Sequence, residues 1–196
     1  MGKQEANRES TDVVTRPLRA DARRNVDAIL EAAKRLFAEM GVDVPMRTIA
    51  AEAGVGVGTL YRHFPLRSDM IKAIIQREVD ACVEYASAAA EQHPPGEALA
   101  AWAQKLVDLT ATKRGLGTAL HSGDAALRSL PEYVLDRLTP VLRQLLDAAA
   151  AAGAIHRSVD AGELLMALLR LASPASEGAV DEARRMVGLL VDGLRV

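Results

Sequence analysis

Apolar residues recur at spacings of three and four along almost the whole chain, and this periodicity constrains the fold most. One such stripe covers residues 26–40, and Gly41 stands where that helix should end. Another covers residues 180–194, and Ser68 and Asp160 are predicted N-caps of two further helices. No segment alternates convincingly at the period of two that a half-buried strand requires. The sequence therefore predicts an all-α protein.

The composition sets the size and the compartment that we expect. The chain has 196 residues, of which 49% are hydrophobic, enough for one sizeable or two small domains. A net charge of −2 does not mark the whole chain as nucleic-acid-binding. Cys82 is the single cysteine, so no internal disulfide is possible, which fits a reducing cytoplasm. No apolar run is long enough to span a bilayer, and we expect no membrane partner.

The stretch VGVGTLYRHFP, residues 55–65, concentrates polar and aromatic side chains behind a run of glycines. Two interpretations compete: a phosphate-binding glycine loop of an enzyme, or the exposed part of a nucleic-acid-binding module. Gly54, Gly56 and Gly58 give the spacing GxGxG rather than GxGxxG, and the preceding residues indicate a helix rather than a strand. No lysine follows at the position that a Walker-type loop needs. We therefore set the enzyme interpretation aside.

A helix-turn-helix makes positional demands that this stretch meets. Ala50 is small where the two helices would cross, Gly54 tolerates a positive φ in the turn, and Val55 can fill the turn. On a helical wheel, Leu60 and Phe64 share one inward face. The opposite face carries Gly58, Thr59 and Arg62, with Tyr61 and His63 at its flanks. The sequence thus predicts a recognition helix, although an ordinary amphipathic surface helix would show the same pattern.

The run VDAILEAAKRLFAEMGVDVPMRTIAAEAGVGVGTLYRHFPLRSDMIKAI, residues 26–74, resembles the N-terminal domain of the TetR family of bacterial transcriptional regulators. Its core, IA..AGV..GTLY.HF, is highly specific. The resemblance implies about nine helices, of which three bind DNA while the later ones form a ligand pocket and a dimer interface. We expect a flexible polar arm at 1–20, a helix-turn-helix domain at 21–67 and a ligand-binding and dimerisation domain at 68–196. The segments TKRGLGTAL and AAGAIHRSVDAGELL more loosely resemble an actinobacterial-type branch.

The resemblance also implies which residues contact DNA. These are Arg47, Val57, Gly58, Thr59, Tyr61, Arg62, His63 and Arg67, with Arg62 in a base-facing position and Arg67 where the family commonly has a phosphate-binding lysine. The chain departs from the family pattern at Gly56, where serine is common, and at Pro45 and Met46, where threonine is common. One phosphate contact near the second helix therefore lacks the side chain that the family commonly uses for it.

The aromatic and apolar residues of the C-terminal part include candidates for an effector pocket. They are Tyr85, Trp102, Leu106, His121, Tyr133 and Met166, and each could equally be plain core. Acidic and basic groups are scarce on the predicted inner stripes apart from Arg114 and His121, so we expect a mainly apolar effector held by one or two polar contacts. His121 has no second ligand at metal-binding spacing, and Cys82 has no sequence partner. We expect no metal, no cofactor and no enzymatic activity.

These expectations combine into one function. The chain is predicted to be a sequence-specific DNA-binding regulator, a repressor that binds a palindromic operator as a homodimer and is released by a small molecule. The last two helices, at about 160–172 and 179–195, would form the dimer interface. Two alternatives stay open: a helical ligand-binding bundle of the same fold that has lost regulated DNA binding, and a general DNA binder without an effector.

Overall fold

The computed structural model describes residues 6–120, 122–156, 159–173 and 179–196, with side chains from residue 21 onward except that of Arg114. Within these residues the chain forms nine α-helices and no strand. They are α1 (Ala6–Met40), α2 (Met46–Glu52), α3 (Val57–His63), α4 (Arg67–Gln92), α5 (Pro95–Thr112), α6 (Gly117–Leu120), α7 (Leu130–Ala151), α8 (Ala161–Leu171) and α9 (Val180–Asp192). Short 3₁₀ turns lie at Arg114–Leu116 and Ala125–Leu127. The all-α prediction is confirmed.

The chain divides into two compact units, Met1–Met70 and Ile71–Val196. The sequence placed this boundary three residues earlier, between residues 67 and 68. The helical backbone of α1 begins at Ala6, within the stretch 1–20 that was predicted to be a flexible arm.

In the first unit, α1 packs against α2, and α2 packs against α3. Gly41 ends the described run of α1 with a φ of +79°, and its backbone N–H donates to the carbonyl of Phe37 at 3.0 Å. A positive φ is easy for glycine and strained for other residues, so the chain can turn sharply there. Phe37 and Ile49 are almost completely buried between the helices.

In the second unit, α5 packs against α7, α8 and α9. Trp102 and Leu106 of α5 have no exposed surface, and the indole Nε1 of Trp102 donates to the backbone carbonyl of Cys82 at 2.9 Å. That bond satisfies the one polar atom of a fully buried indole and links α5 to α4. An isolated antiparallel bridge pairs Ile155 with Arg195, so the segment after α9 lies beside the α7–α8 connection.

Two predicted helix starts have different outcomes. Asp160 caps α8 as predicted, because its Oδ1 accepts from the backbone N–H of Glu163 at 3.0 Å. Ser68 is not the cap of α4: that helix begins at Arg67, and Ser68 is a buried residue of its first turn. Instead, Asp69 Oδ2 accepts from the backbone N–H of Leu66 at 3.0 Å.

None of the described helices is both long and apolar enough to cross a membrane.

Candidate functional site

The turn between α2 and α3 has the geometry of a helix-turn-helix. Gly54 adopts a φ of +67°, the left-handed conformation that the sequence assigned to it. The backbone N–H of Val55 donates to the carbonyl of Ala50 at 3.0 Å, which closes the turn against the end of α2. Ala50 is fully buried, as expected for a small residue at a helix crossing, whereas Val55 is only partly buried.

The short helix α3 has one buried face and one exposed face. Leu60 has no exposed surface, and Phe64, which follows the helix, is 6% exposed. Opposite them lie Val57, Gly58, Tyr61, Arg62 and His63, all exposed, and Thr59, which is partly buried. A Cβ added at Gly58 would meet no atom within 4 Å, so this part of the surface is open to a close approach. The predicted orientation of α3 is confirmed; the individual DNA contacts remain predictions.

The charges around α2 and α3 favour a polyanion. Glu52 is the one carboxylate between residues 46 and 63, and it pairs with Arg35 of α1. Arg47 and Arg62 are exposed, and the last turn of α3 contains both Arg62 and His63. Since the neighbouring acid is already neutralised, the exposed face of α3 is positively charged, as a surface that meets phosphates requires.

Arg67 has a structural role that the sequence did not indicate. Its Nη1 donates to the backbone carbonyl of Val42, and also to that of Val44 at 2.7 Å. These carbonyls belong to the connection between α1 and α2, so the first residue of α4 fixes that connection within the first unit. The phosphate contact expected of Arg67 stays a prediction.

At the starts of α2 and α3 this chain departs from the family pattern, and both helices lack a side-chain cap. Pro45 precedes α2 and Gly56 precedes α3, and neither helix start has a side-chain capping hydrogen bond. Met46, where the family often has threonine, is buried rather than available to a phosphate. The first turns of α2 and α3 therefore offer backbone N–H groups that no side chain of the cap residue occupies.

The second unit contains an apolar cavity of about 360 Å³. The described residues that line it come from α4, α6, α7, α8 and the connections between α5 and α7. They are Ile75, Lys113, Leu120, Leu127, Leu130, Pro131, Val134, Leu135, Met166 and Leu169. Lys113 is the one polar side chain among them, and burial lowers the pKa of its ammonium group below the ordinary value.

The structure separates the predicted pocket residues instead of bringing them together. Met166 lines the apolar cavity, whereas Trp102 and Leu106 are completely buried core residues that do not line it. Tyr133 and Tyr85 line two smaller clefts of about 260 Å³ and 240 Å³. His121 and the Arg114 side chain lie outside the described residues. The packing thus supports the interpretation that Trp102 and Leu106 are core residues rather than pocket residues.

Tyr133 belongs to a polar contact between α4 and α7. Its hydroxyl donates to Asp80 Oδ1 at 3.2 Å, and Arg137 Nη2 donates to the same oxygen at 2.8 Å. Burial, followed by the charge of Asp80, raises the pKa of the Tyr133 phenol. The group therefore stays a neutral hydrogen-bond donor and connects α7 to α4 beside the apolar cavity. Among the described side chains, no cluster of His, Cys, Asp and Glu could hold a metal ion.

The helices α8 and α9 expose several large apolar side chains. Leu171 is 38% exposed, Met186 37% and Leu189 64%. Leu171 and Met186 line the same cleft, and Leu189 follows one turn after Met186 on α9. Neighbouring apolar side chains that are left in water indicate a surface that another molecule covers.

Family comparisons identify both units. The family described as bacterial regulatory proteins, tetR family, matches residues 29–74, which include the helix-turn-helix. A second family, described as transcriptional regulator SbtR-like, C-terminal domain, matches residues 94–196. The chain belongs to the TetR family. The resemblance noted in the sequence is therefore confirmed, and this TetR-family protein is a DNA-binding transcriptional regulator.

Solved TetR structures resemble the chain over nearly its whole length. A TetR transcriptional regulator from Streptomyces coelicolor is 36% identical with a TM-score of 0.73, and the match covers 87% of this chain and 98% of that one. A TetR regulatory protein from Mycobacterium vanbaalenii is 37% identical with a TM-score of 0.71, covering 92% and 100%.

Curated relatives match over a shorter part of the chain. An HTH-type transcriptional regulator from Staphylococcus aureus (strain USA300) is 48% identical over 64 residues, which is 32% of this chain. The match spans about a third of that relative's length, 35%. It therefore supports a helix-turn-helix regulator and says nothing about an effector.

Proposed function

We propose that this TetR-family protein is a repressor that binds a palindromic operator as a homodimer and is released by a mainly apolar effector. One observation carries the proposal: a member of the DNA-binding family contains an apolar cavity whose wall includes Ile75 of α4. The same helix begins at Arg67, directly after the helix-turn-helix. An occupant of the cavity therefore contacts the helix whose first residues belong to the DNA-binding unit.

The dimer is proposed from the exposed apolar side chains of α8 and α9. Two-fold oligomers use the same patch on both copies, so a self-complementary apolar surface is what a homodimer needs. Leu189 is the most exposed of these residues, and Met186 adds a flexible side chain one turn away. A dimer would present two copies of α3, and a palindromic operator supplies two matching half-sites.

Release requires that the effector bind one state better than the other. In the described structure, α4 is held to α7 by the contact of Asp80 with Tyr133 and Arg137, and the cavity is lined by both helices. An effector that packs between Ile75 and the α7 side chains would alter this contact. It would thereby favour an arrangement of α4 in which the dimer no longer fits its operator.

The test begins with the DNA. Genomic fragments selected by the purified protein define the operator. Compounds that raise the melting temperature of the protein are then added to the protein–operator complex, and fluorescence anisotropy measures the affinity of the protein for the operator. We expect at least one stabilising compound to release the operator. The variant Leu169→Phe narrows the cavity and should lose both effects while it keeps operator binding.

Two results would contradict the proposal. If no sequence is preferred over scrambled DNA, the protein is a general DNA binder or a bundle that has lost regulated binding. If stabilising compounds act equally on Leu169→Phe and on the wild type, the effector does not occupy this cavity.

A further inference from the structure

Lys113 is chemically unlike the other described residues that line the apolar cavity. The other described lining residues are leucine, isoleucine, valine, proline and methionine. Lys113 follows α5 as its C-cap residue, and its backbone N–H donates to the carbonyl of Thr110 at 3.1 Å. Its side chain thus extends from a fixed part of the backbone to a site whose other described lining side chains offer only van der Waals contact.

The ammonium group has no carboxylate partner among the described residues. Lys105, two turns earlier on α5, shows the usual arrangement: its Nζ lies 3.4 Å from Asp108 Oδ2. Burial lowers the pKa of the Lys113 ammonium group, and a smaller effect of Cys82 acts in the opposite direction. A cation that is partly removed from water and unpaired is unfavourable, so an anion that enters the cavity gains an interaction that the empty site lacks.

We propose that the effector of this site carries one anionic group, a carboxylate on an apolar body, and that this group pairs with Lys113. The inference rests on the proposed function, because it assigns a chemical class to the effector of the same cavity. The apolar body packs against α4, α7 and α8, while the carboxylate oxygens accept hydrogen bonds from Nζ.

The rest of the lining argues against other ligand classes. A second charge on the ligand would face leucine and valine side chains, where a charge without a partner is strongly unfavourable. An amine would meet the like charge of Lys113. A neutral molecule of the same shape would fill the cavity but leave the ammonium group unpaired. The structure therefore favours a monoanion over a dianion, a cation or a neutral compound.

Three probes with the same alkyl chain test the assignment: decanoate, decanol and decylamine. Their binding to the full-length protein is measured by isothermal titration calorimetry, and each is also added to the protein–operator complex. We expect decanoate to bind at least about tenfold more tightly than decanol, and decylamine to bind least.

The variants locate the effect. Lys113→Met keeps a long side chain without the charge, so it should bind decanoate and decanol about equally while its decanol affinity stays near that of the wild type. Lys105→Met removes a lysine of α5 that does not line the apolar cavity, and it should keep the preference for decanoate.

The outcomes separate this inference from the proposed function. Equal or tighter binding of decanol in the wild type, retention of the decanoate preference in Lys113→Met, or no binding of any probe would overturn the carboxylate assignment. If decanoate binds with the expected preference and yet leaves operator affinity unchanged, the assignment holds and the proposed release mechanism fails.

Discussion

Leu189 gives the most direct test of the proposed dimer. Its side chain is 64% exposed in the single chain, and complete burial of a leucine is worth about 1.5–3 kcal/mol. Covering that exposed part would thus contribute about 1–2 kcal/mol per copy. A two-fold interface contains the residue twice, so Leu189→Ala should weaken the dimer by about 2–4 kcal/mol, or roughly thirty- to several-hundredfold in Kd.

Sedimentation equilibrium measures this dissociation constant directly. The monomer fold should be unaffected, because the residue is mostly exposed within one chain. Leu66→Ala is the matched control: Leu66 is 59% exposed but belongs to the first unit, so its replacement should leave the dimer intact. A wild-type protein that is monomeric at tens of micromolar, or an unchanged Kd for Leu189→Ala, would refute the reasoning.

Three further outcomes follow from the structure. Tyr61→Ala should weaken binding to operator and scrambled DNA alike, whereas Arg62→Ala should lose about 1–3 kcal/mol of binding free energy on the operator alone. Mobility-shift titrations in which both variants bind like the wild type would contradict this. Burial raises the pKa of the Cys82 thiol to about 12, so only about one thiol in ten thousand is ionised at pH 8. A thiol reagent should therefore react quickly with Cys82 only after the protein unfolds. Rapid stoichiometric labelling of the native protein would exclude such burial. Trp102→Ala should lower the free energy of unfolding by about 3–5 kcal/mol in urea titrations, because the indole is fully buried and hydrogen-bonded; a loss below about 1 kcal/mol would place Trp102 outside the core.

The helix-turn-helix was predictable because its determinants are local. On a helix of seven residues, the position of Leu60 fixes which neighbours face outward, whatever the rest of the chain does. The positive φ of Gly54 follows in the same way from the tight turn between two short helices. What was not visible is the bond from Arg67 to Val42 and Val44, because it joins residues more than twenty positions apart.

The residues that line the apolar cavity were hard to predict because a cavity depends on where helices meet. Trp102 and Leu106 were chosen for their type, yet both lie on the face of α5 that the other helices cover completely. The sequence indicated Arg114, and not its neighbour Lys113, as a basic residue near the pocket. The helical periodicity gives no guide there, because α5 ends and a 3₁₀ turn follows. Met186 belongs to the predicted apolar stripe of α9 but remains 37% exposed. The apolar face of α9 is thus wider than the part that the rest of the chain covers.

The short segments between α5 and α7 have an evolutionary consequence. Leu120 and Leu127 reach the cavity from pieces of only four and three residues, α6 and the second 3₁₀ turn. Substitutions there reshape the site while the long helices of the core and the helix-turn-helix keep their sequences. Under the proposed function, a new effector specificity would need few changes at the cavity wall, and the same positions would be the natural targets for converting the protein into a biosensor that keeps its original operator.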